Sequence, residues 1–255
     1  MPELPEVETL RRQLEEVILG QEVSNVEVLD PKLSGVQGVL KGEVQGVERK
    51  GKLLAFSIEG GKRVLLSLRM TGRLLWGKDG GRYVRLVIHF PHGRLHLVDP
   101  RRFATLSLPD GRSAPLGVDP LEGNLPSFLV QRSEGRRAPV KTFLMDQRHV
   151  AGIGNIYASE ILYAAGVHPL RPAGSLTAEQ WEGVAHAARA ILEEAIRLRG
   201  TTISDWRDLY GRPGKYQDRL RVYGRKGEPC PRCGTPIERV TLSGRGTYFC
   251  PRCQN

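Results

Sequence analysis

The last thirty residues contain four cysteines in two closely spaced pairs. The pairs are Cys230-Pro-Arg-Cys233 and Cys250-Pro-Arg-Cys253, with sixteen residues between them, and the chain has no other cysteine. Four thiolates at this spacing are typical of a tetrahedral zinc site. Because protein atoms would fill all four positions, we expect one structural Zn²⁺ that folds the segment and performs no chemistry. Two disulfide bonds are the alternative, which is disfavoured in a chain expected to be cytoplasmic.

The first six residues, MPELPE, combine a proline at position 2 with two carboxylates. A small second residue permits removal of the initiator methionine, which would leave Pro2 with a free secondary amine. Such an amine can attack an electrophilic carbon and form an iminium ion. Glu3 and Glu6 place carboxylates beside it for proton transfer. Many prolines at this position do nothing of the kind, so the residues alone leave catalysis by Pro2 as a hypothesis.

A basic, glycine-rich stretch between Arg197 and Lys226 indicates a polyanionic partner. It holds nine basic and three acidic residues, in a chain of 38 Lys and Arg against 28 Asp and Glu, which gives a net charge of +10. Clustered positive charge favours nucleic acid through counterion release, although a solvated basic loop is the alternative. The aromatic residues of the stretch are Trp206, Tyr210, Tyr216 and Tyr223.

The spacing of apolar residues predicts which helices and strands carry these residues. Residues 4–20 show apolar positions at helical spacing, with Pro5 in the first turn, which predicts a helix that begins directly after Glu3. From Glu22 to about Leu108, short β-branched runs alternate with turn sequences, which predicts an antiparallel sheet or sandwich.

Helices dominate the second half of the chain. They are predicted at 155–165 and at 177–199, where Thr177 and Gln180 form a capping-box sequence. Between the cysteine pairs, the sequence IERVTLSGRGTYFC predicts a hairpin with residues 243–246 at its tip. Arg245 at that tip suits a DNA groove, although an exposed turn arginine is the alternative.

These patterns predict an α+β protein of three domains. An N-terminal helix and antiparallel β-sandwich occupy 1–116, a helical domain occupies 117–226, and a zinc finger occupies 227–255. The stretch 109–123, crowded with Pro, Gly and Asp, predicts a linker. No apolar run approaches 18 residues, and the acidic start is unlike a signal peptide, so we expect a cytoplasmic protein that makes no membrane contact.

Several motifs, taken in chain order, resemble one family. They are MPELPEVET, Lys52 in RKGKLLAF, Met70 in RMTGRL, DPRRF at 99–103, KTFLMDQ at 141–147, GIGNIYASE at 152–160, VYGRKGEPC and the four cysteines. Over essentially its whole length the chain resembles the formamidopyrimidine-DNA glycosylase family. The resemblance implies a monomeric, nucleoid-associated base-excision repair enzyme whose helical domain has a helix–two-turn–helix fold. It implies a DNA glycosylase and AP lyase that removes oxidised purines, typically 8-oxoguanine and formamidopyrimidines, from damaged double-stranded DNA.

The resemblance also implies catalytic roles. Pro2 attacks C1′ of the damaged nucleotide, expels the base and holds the sugar as a Schiff base, after which elimination at the β and δ positions cuts the strand. Glu3 is the acid and base for these steps, and Glu6 shapes the same site. Lys52 faces the lesion and its phosphate, whereas without the resemblance it is an ordinary lysine at a strand end.

The DNA contacts implied by the resemblance fall into two groups. Met70, Arg101 and Phe103 fill the hole that a flipped nucleotide leaves in the duplex. The second group consists of Lys141, Asn155 and Arg245, which bind phosphate, with Arg102 and Tyr223, which lie in the matched motifs. From the residues alone, Met70 and Phe103 are expected in the core, and Asn155 is a helix cap.

Three alternatives remain open. An endonuclease VIII-like enzyme prefers oxidised pyrimidines, and its N-terminus usually reads PEGPE, where this chain has PELPE. The segment Thr201–Tyr216 corresponds to a loop that covers the flipped base in purine-specific members, and its divergent sequence leaves lesion preference open. A catalytically silent damage-binding protein and a zinc-ribbon transcription factor belong to other classes, neither of which needs Pro2.

Overall fold

The structure, a computed structural model, describes residues 1–77, 79–109 and 116–255. As far as they are described, the residues form two compact units, Met1–Ala114 with Leu198–Gln217, and Pro115–Arg197 with Asp218–Asn255. The predicted linker at 109–123 includes 110–115, which lie outside the described residues, so the three domain ranges stay a prediction. One segment groups differently from them: Leu198–Gln217 belongs to the first unit because Trp206 and Leu209 are buried in its core.

The first unit begins with helix α1, Leu4–Ile18, as the periodicity predicts. Glu3 is the N-cap residue, and Glu3 and Glu6 form a capping box, with proline in the first turn. The helix ends two residues before the predicted stop at Gly20, because Leu19 is already extended. Its buried apolar face packs on the sheets that follow.

The strands of the first unit form two antiparallel sheets. Their bounds are β1 Glu22–Val23, β2 Asn25–Val28, β3 Gly42–Lys50, β4 Leu53–Ile58, β5 Lys62–Ser67, β6 Arg73–Gly77, β7 Val84–Phe90, β8 Gly93–Val98 and β9 Thr105–Ser107. The strand orders are β1-β3-β4-β5-β9 and β2-β7-β8-β6. Apolar side chains of both sheets and of α1 share one core, so the predicted antiparallel β-sandwich is confirmed.

Helices make up most of the second unit. They are α2 Leu125–Ser133, α3 Val140–Met145, α4 Asn155–Ala164 and α5 Ala178–Arg197. The predicted capping box opens α5: the Thr177 N–H donates to Gln180 Oε1 at 3.0 Å, and the Gln180 N–H donates to Thr177 Oγ1 at 3.2 Å. Both predicted helices are therefore confirmed, with ends that differ by one or two residues. In the described parts of the chain, no helix is long and apolar enough to cross a membrane.

The predicted hairpin between the cysteine pairs is present as β10 Glu238–Leu242 and β11 Arg245–Phe249. Only Ser243 and Gly244 form its turn, with φ of 50° and 74°. Positive φ at both turn residues is typical of the two-residue hairpin turn, whose backbone twist matches that of the flanking strands. Glycine adopts such a φ without strain, which suits Gly244. The turn is thus shorter than the predicted tip, because Arg245 and Gly246 already pair in β11.

Candidate functional site

The chain start is buried and fixed by one carboxylate. Pro2 is buried, Glu3 is 3% exposed, and the Met1 side chain is half exposed. The Glu3 N–H donates to Glu6 Oε2 at 2.8 Å, and the Thr201 N–H donates to Glu6 Oε1 at 2.7 Å. Both oxygens of Glu6 therefore accept backbone N–H groups, which gives Glu6 a positioning role. The Glu3 side chain, which accepts the Glu6 N–H in the capping box, is the carboxylate next to Pro2 along the chain.

Gly200 allows the chain to approach Glu6 this closely. Its φ is +78°, and a Cβ at this position would lie 2.5 Å from Glu6 Oε1. Gly200 directly follows the helix predicted at 177–199, and in the structure it makes room for the carboxylate that holds the chain start.

Lys52 lies, half buried, in the turn between β3 and β4. The turn is tied to α1 through Arg49, whose Nε donates to Glu8 Oε2 at 3.0 Å and whose Nη1 donates to the Gly51 carbonyl at 3.4 Å. Burial alone would raise the pKa of Glu8, but hydrogen bonds from Arg11 and Arg12 and the nearby charge of Arg49 hold it below its ordinary value. This ion-pair cluster connects the predicted lysine to the helix that carries the predicted nucleophile.

Asp99 organises the loops that carry Met70 and Phe103. It is 1% exposed, and its Oδ2 accepts the N–H groups of Phe103 and Ala104, each at 2.7 Å. Its Oδ1 accepts the Thr71 hydroxyl at 2.5 Å, next to Met70, so one carboxylate fixes both loops.

The side chains on these loops face solvent. Met70 is 51% exposed and Phe103 is 42% exposed, which contradicts the expectation, made from the residues alone, that both lie in the core. The guanidinium of Arg101 lies 4.5 Å from the centre of the Phe103 ring. Insertion of these side chains into DNA, which the resemblance implies, stays a prediction.

Arg102 binds a carboxylate of the protein itself. Its Nε and Nη2 donate to the two carboxylate oxygens of Asp30 at 2.7 and 2.8 Å. The hydrogen bonds from Arg102 lower the pKa of Asp30 to about 2. Although we predicted Arg102 as a DNA contact, in this structure it braces its loop against the residue that caps the turn at Pro31–Val36.

In the second unit, Lys141 and Asn155 meet at a pocket of about 240 Å³ whose lining includes Arg245. Lys141 is 1% exposed, and its Nζ donates to Asn155 Oδ1 at 2.7 Å, Thr247 Oγ1 at 2.9 Å and the Gly246 carbonyl at 3.2 Å. Two cations and the first turn of α4 create positive potential here.

One carboxylate also lines that pocket. Asp146 pairs with Arg148 at 2.6 Å, and the hydrogen bond from Arg148 lowers the pKa of Asp146 to about 2. Its negative charge is thus balanced locally, and the pocket retains the chemistry of an anion site.

Tyr223 lies beside the zinc-finger hairpin, with its ring centre 5.1 Å from that of Tyr248. Its backbone N–H donates to Glu160 at 2.8 Å, and Glu160 also accepts the N–H groups of Arg221 and Val222. Burial raises the pKa of Glu160 above its ordinary value, against the effect of these N–H groups. Glu160 thus fixes the backbone on which Tyr223 is presented.

The four cysteine sulfurs form one cluster. Each lies within 4.8 Å of the others, with Cys233 and Cys250 3.5 Å apart and Cys230 and Cys253 3.9 Å apart. Tetrahedral zinc with bonds of ~2.3 Å places sulfurs ~3.8 Å apart, which matches these separations. The cysteines therefore form the closed site of one structural Zn²⁺.

The fold and the site indicate a zinc-finger protein that binds nucleic acid. Its first unit is a β-sandwich with a buried proline at position 2, and its second unit has an anion pocket and a four-cysteine module. Family models agree. The formamidopyrimidine-DNA glycosylase N-terminal domain matches residues 1–106, its H2TH domain matches 116–206, and the zinc finger found in FPG and IleRS matches 227–255.

Similar proteins cover the whole chain. A formamidopyrimidine-DNA glycosylase of Chloroflexus aurantiacus is 40% identical over 271 residues, covering 100% of this chain and 98% of that protein. Two Lactococcus lactis Fpg structures are 34% identical: a complex with abasic-site DNA (TM-score 0.91, 99% of both chains) and a mutant in complex with Fapy-dG DNA (TM-score 0.92, 100% of both). The chain belongs to the formamidopyrimidine-DNA glycosylase family, and is a DNA glycosylase of base-excision repair.

Sequence reasoning missed the buried polar residues that hold the site together. Asp99 and Glu160 could have been found, since each sits inside a motif that carries the resemblance. Gln13 and Asp208, which contact each other at 3.1 Å, gave no local signal because 195 positions separate them.

Proposed function

We propose that this protein excises oxidised purines, 8-oxoguanine and formamidopyrimidines, from duplex DNA and then cuts the strand at the abasic sugar. The observation that carries the proposal is the buried chain start, where Glu6 fixes Glu3 beside Pro2. The similar Lactococcus lactis proteins, one bound to Fapy-dG DNA and one to abasic-site DNA, support both stages.

Base removal begins once Met1 has been removed. The Pro2 nitrogen attacks C1′, the bond from C1′ to the base breaks, and the base leaves with a proton. Glu3 protonates the ring oxygen O4′, the C1′–O4′ bond opens, and the nitrogen lone pair completes a cationic Schiff base, an iminium ion with no proton on nitrogen. The N-terminus of α1 favours the neutral amine that this attack requires, because its partial positive charge disfavours an ammonium ion.

Strand cleavage uses the same iminium as an electron sink. Loss of a C2′ proton to Glu3 expels the 3′ phosphate by β-elimination. Loss of the C4′ proton then expels the 5′ phosphate by δ-elimination, and water hydrolyses the iminium to free Pro2. Glu3 serves both eliminations by passing each proton that it takes from carbon to the departing phosphate, so it is a carboxylate again when the next C–H bond breaks.

The remaining residues of the proposal bind DNA. The exposed side chains of Met70 and Phe103 insert where the damaged nucleotide has left the stack, and Arg101 contacts the base opposite. Lys52 neutralises the phosphate at the lesion. In the second unit, Lys141, Asn155 and Arg245 hold a backbone phosphate, a contact that positions DNA without selecting a sequence.

Borohydride trapping tests the mechanism. Reduction of the iminium should give a covalent protein–DNA band with an 8-oxoguanine duplex, and Pro2→Gly should abolish the band while binding to the duplex persists. Intact mass, measured in parallel, should show loss of Met1. Failure of the wild-type protein, with Met1 removed, to form the band overturns the proposal.

Lesion preference is tested separately. Cleavage rates on 8-oxoguanine and thymine-glycol duplexes are compared under single-turnover conditions, and faster cleavage of the purine lesion is expected. If only the thymine-glycol duplex is cut, the substrate class is wrong although the Schiff-base mechanism stands.

A further inference from the structure

The segment Leu198–Gln217 is attached to helix α1 at two places. We name this segment the docked segment. It belongs to the first compact unit, and Trp206 and Leu209 anchor it in the core of that unit. Both attachments to α1 use buried polar side chains of the helix, Glu6 and Gln13.

The first attachment lies at the proposed nucleophile. The Glu6 carboxylate accepts N–H groups from Glu3 and from Thr201, so it joins the chain start to the docked segment through one side chain. A nucleotide attacked by Pro2 must therefore lie next to the docked segment.

The second attachment is a clamp between Gln13 and the turn at Asp208. The Gln13 side chain donates through Nε2 to Asp208 Oδ2 at 3.1 Å and accepts the Leu209 N–H through Oε1 at 3.0 Å. Asp208 and Leu209 are fully buried, and Gln13 is 8% exposed. The Leu209 carbonyl in turn accepts the Trp76 N–H of β6 at 2.8 Å.

Asp208 also shapes the turn itself. Its Oδ1 accepts the N–H groups of Tyr210 and Arg212 at 3.0 and 2.9 Å, and its Oδ2 accepts Arg212 Nε at 2.9 Å. A preformed turn held by a buried carboxylate gives Gln13 a rigid partner, so the clamp has one geometry.

The two attachments lie on one face of α1. Seven residues separate Glu6 from Gln13, which is two helical turns and a rise of ~10 Å. Two polar anchors at this separation, together with the buried Trp206 and Leu209, fix the orientation of the docked segment on the helix. In the docked segment, Ile203 lies between the two attached residues, Thr201 and Asp208. Its side chain is 56% exposed, so it is not part of the core and can contact a ligand.

We infer that Gln13 and Asp208 are positioning residues for base removal, acting by holding the docked segment against the attacked nucleotide. The inference rests on the proposed function. In that proposal Pro2 and Glu3 act on the sugar and basic residues bind the phosphates, and the resemblance implies that residues Thr201–Tyr216 of the docked segment cover the flipped base. A preformed abasic sugar lacks the base, and its cleavage should not depend on the clamp.

The test compares two substrates for each variant. Gln13→Leu keeps the side-chain size but leaves the Leu209 N–H without its acceptor and Asp208 without one donor. Single-turnover base excision from an 8-oxoguanine duplex should fall about tenfold or more, as expected when a reacting group is misplaced. Cleavage and borohydride trapping of a preformed abasic duplex should stay unchanged.

A double variant provides the rescue. With Gln13→Glu alone, two carboxylates face each other and excision should fall. Adding Asp208→Asn places an amide opposite the new carboxylate, which can accept from that amide and from the Leu209 N–H, so excision should recover. Gln37→Leu, the same change at an exposed position of the first unit, is the matched control.

The outcomes separate the two proposals. If Gln13→Leu lowers excision and abasic cleavage equally, or changes neither while thermal unfolding shows a folded protein, the positioning role is overturned. Asp208→Asn is the second variant if Gln13→Leu does not fold: its amide removes the acceptor of Gln13 Nε2 while its oxygen can still accept the N–H groups of Tyr210 and Arg212, and it should show the same split between substrates. A wild-type protein that neither cleaves nor traps abasic DNA overturns the proposed function, and this inference with it.

Discussion

The two compact units present their proposed DNA contacts in opposite ways. In the first unit, Met70 and Phe103 are half exposed on loops that the buried Asp99 holds, through the Thr71 hydroxyl next to Met70 and through the Phe103 N–H. In the second unit, Lys141 is almost fully buried, with its Nζ bonded to three acceptors. The first arrangement fixes a backbone and leaves the side chain available, whereas the second fixes the charged group itself.

The contrast follows from what each contact must do. A side chain that enters a base stack must give up its contacts with the rest of the protein. Strong contacts of that side chain in the free protein would therefore oppose insertion. A phosphate ligand gains affinity if its charge is already ordered, because little conformational entropy is lost on binding. The contrast therefore predicts that changes in the second unit affect stability and binding together, while changes to the wedge side chains leave stability intact.

Removal of zinc should have the largest effect. Structural zinc contributes on the order of 10 kcal/mol to folding of such modules, and β11 supplies both Thr247 and Gly246 to Lys141. Chelation should therefore unfold the hairpin and abolish duplex binding, measured by fluorescence anisotropy, and should leave the β-sandwich folded by circular dichroism. Binding should return when zinc is restored. Full affinity in protein shown by mass to be metal-free would contradict the prediction.

Lys141→Met should have the next largest effect. The change keeps most of the length of the side chain but removes the donor from Asn155 Oδ1 and Thr247 Oγ1 and one of two donors from the Gly246 carbonyl, which should cost about 2–4 kcal/mol in the free energy of unfolding. Duplex affinity should fall about tenfold or more, and the salt dependence of binding should weaken by about one phosphate contact. Urea unfolding and anisotropy at several salt concentrations measure both effects.

The control is Lys62→Met, which removes an exposed lysine in the first unit and should leave the free energy of unfolding nearly unchanged. If Lys141→Met and Lys62→Met weaken binding equally, the buried lysine acts only through net charge, and the contrast between the units is lost.

Asp99→Asn should have an intermediate effect. An amide has one acceptor oxygen. If that oxygen takes the place of Oδ2 and keeps the N–H groups of Phe103 and Ala104, the new NH2 group faces the Arg101 N–H, which now donates to Oδ1 at 3.2 Å, at a cost of about 1–3 kcal/mol in unfolding free energy. Base excision should fall as well, because the wedge loops share this carboxylate. Asp79→Asn, at an exposed aspartate that accepts one N–H, is the matched control. Equal unfolding free energies for the two variants would contradict this role of Asp99.

Local sequence signals predicted the elements but not the contacts between them. The periodicity of α1 and the Thr177 capping box act within a few residues, so they could be recognised without the fold. The clamp between Gln13 and Asp208 depends on two segments far apart in the chain, and no local pattern carries it. For the same reason the segment around Asp208 was predicted with the helical domain, since chain order alone places it there.

The candidate site shows the same division. The cysteine spacing was enough to predict the metal, because four thiolates at this spacing have few other uses. Arg102, by contrast, was predicted to contact DNA from its motif, and its pairing with Asp30, 72 positions away, appears only in the folded chain. From the residues alone Met70 and Phe103 are core candidates, because an apolar side chain does not reveal whether its loop is exposed.

Phe103→Ala and Met70→Ala should have the smallest effect on stability. Both side chains are exposed, so the free energy of unfolding should change by no more than about 0.5 kcal/mol, the range of ordinary surface substitutions, while loss of the contact with Arg101 adds little in water. Single-turnover excision of 8-oxoguanine should nevertheless fall, because the flipped nucleotide is no longer replaced. Leu29→Ala, an equally exposed apolar position of the first unit, should change neither quantity. A large loss of stability in either wedge variant would show that these side chains support the fold, and would remove the difference between the two units.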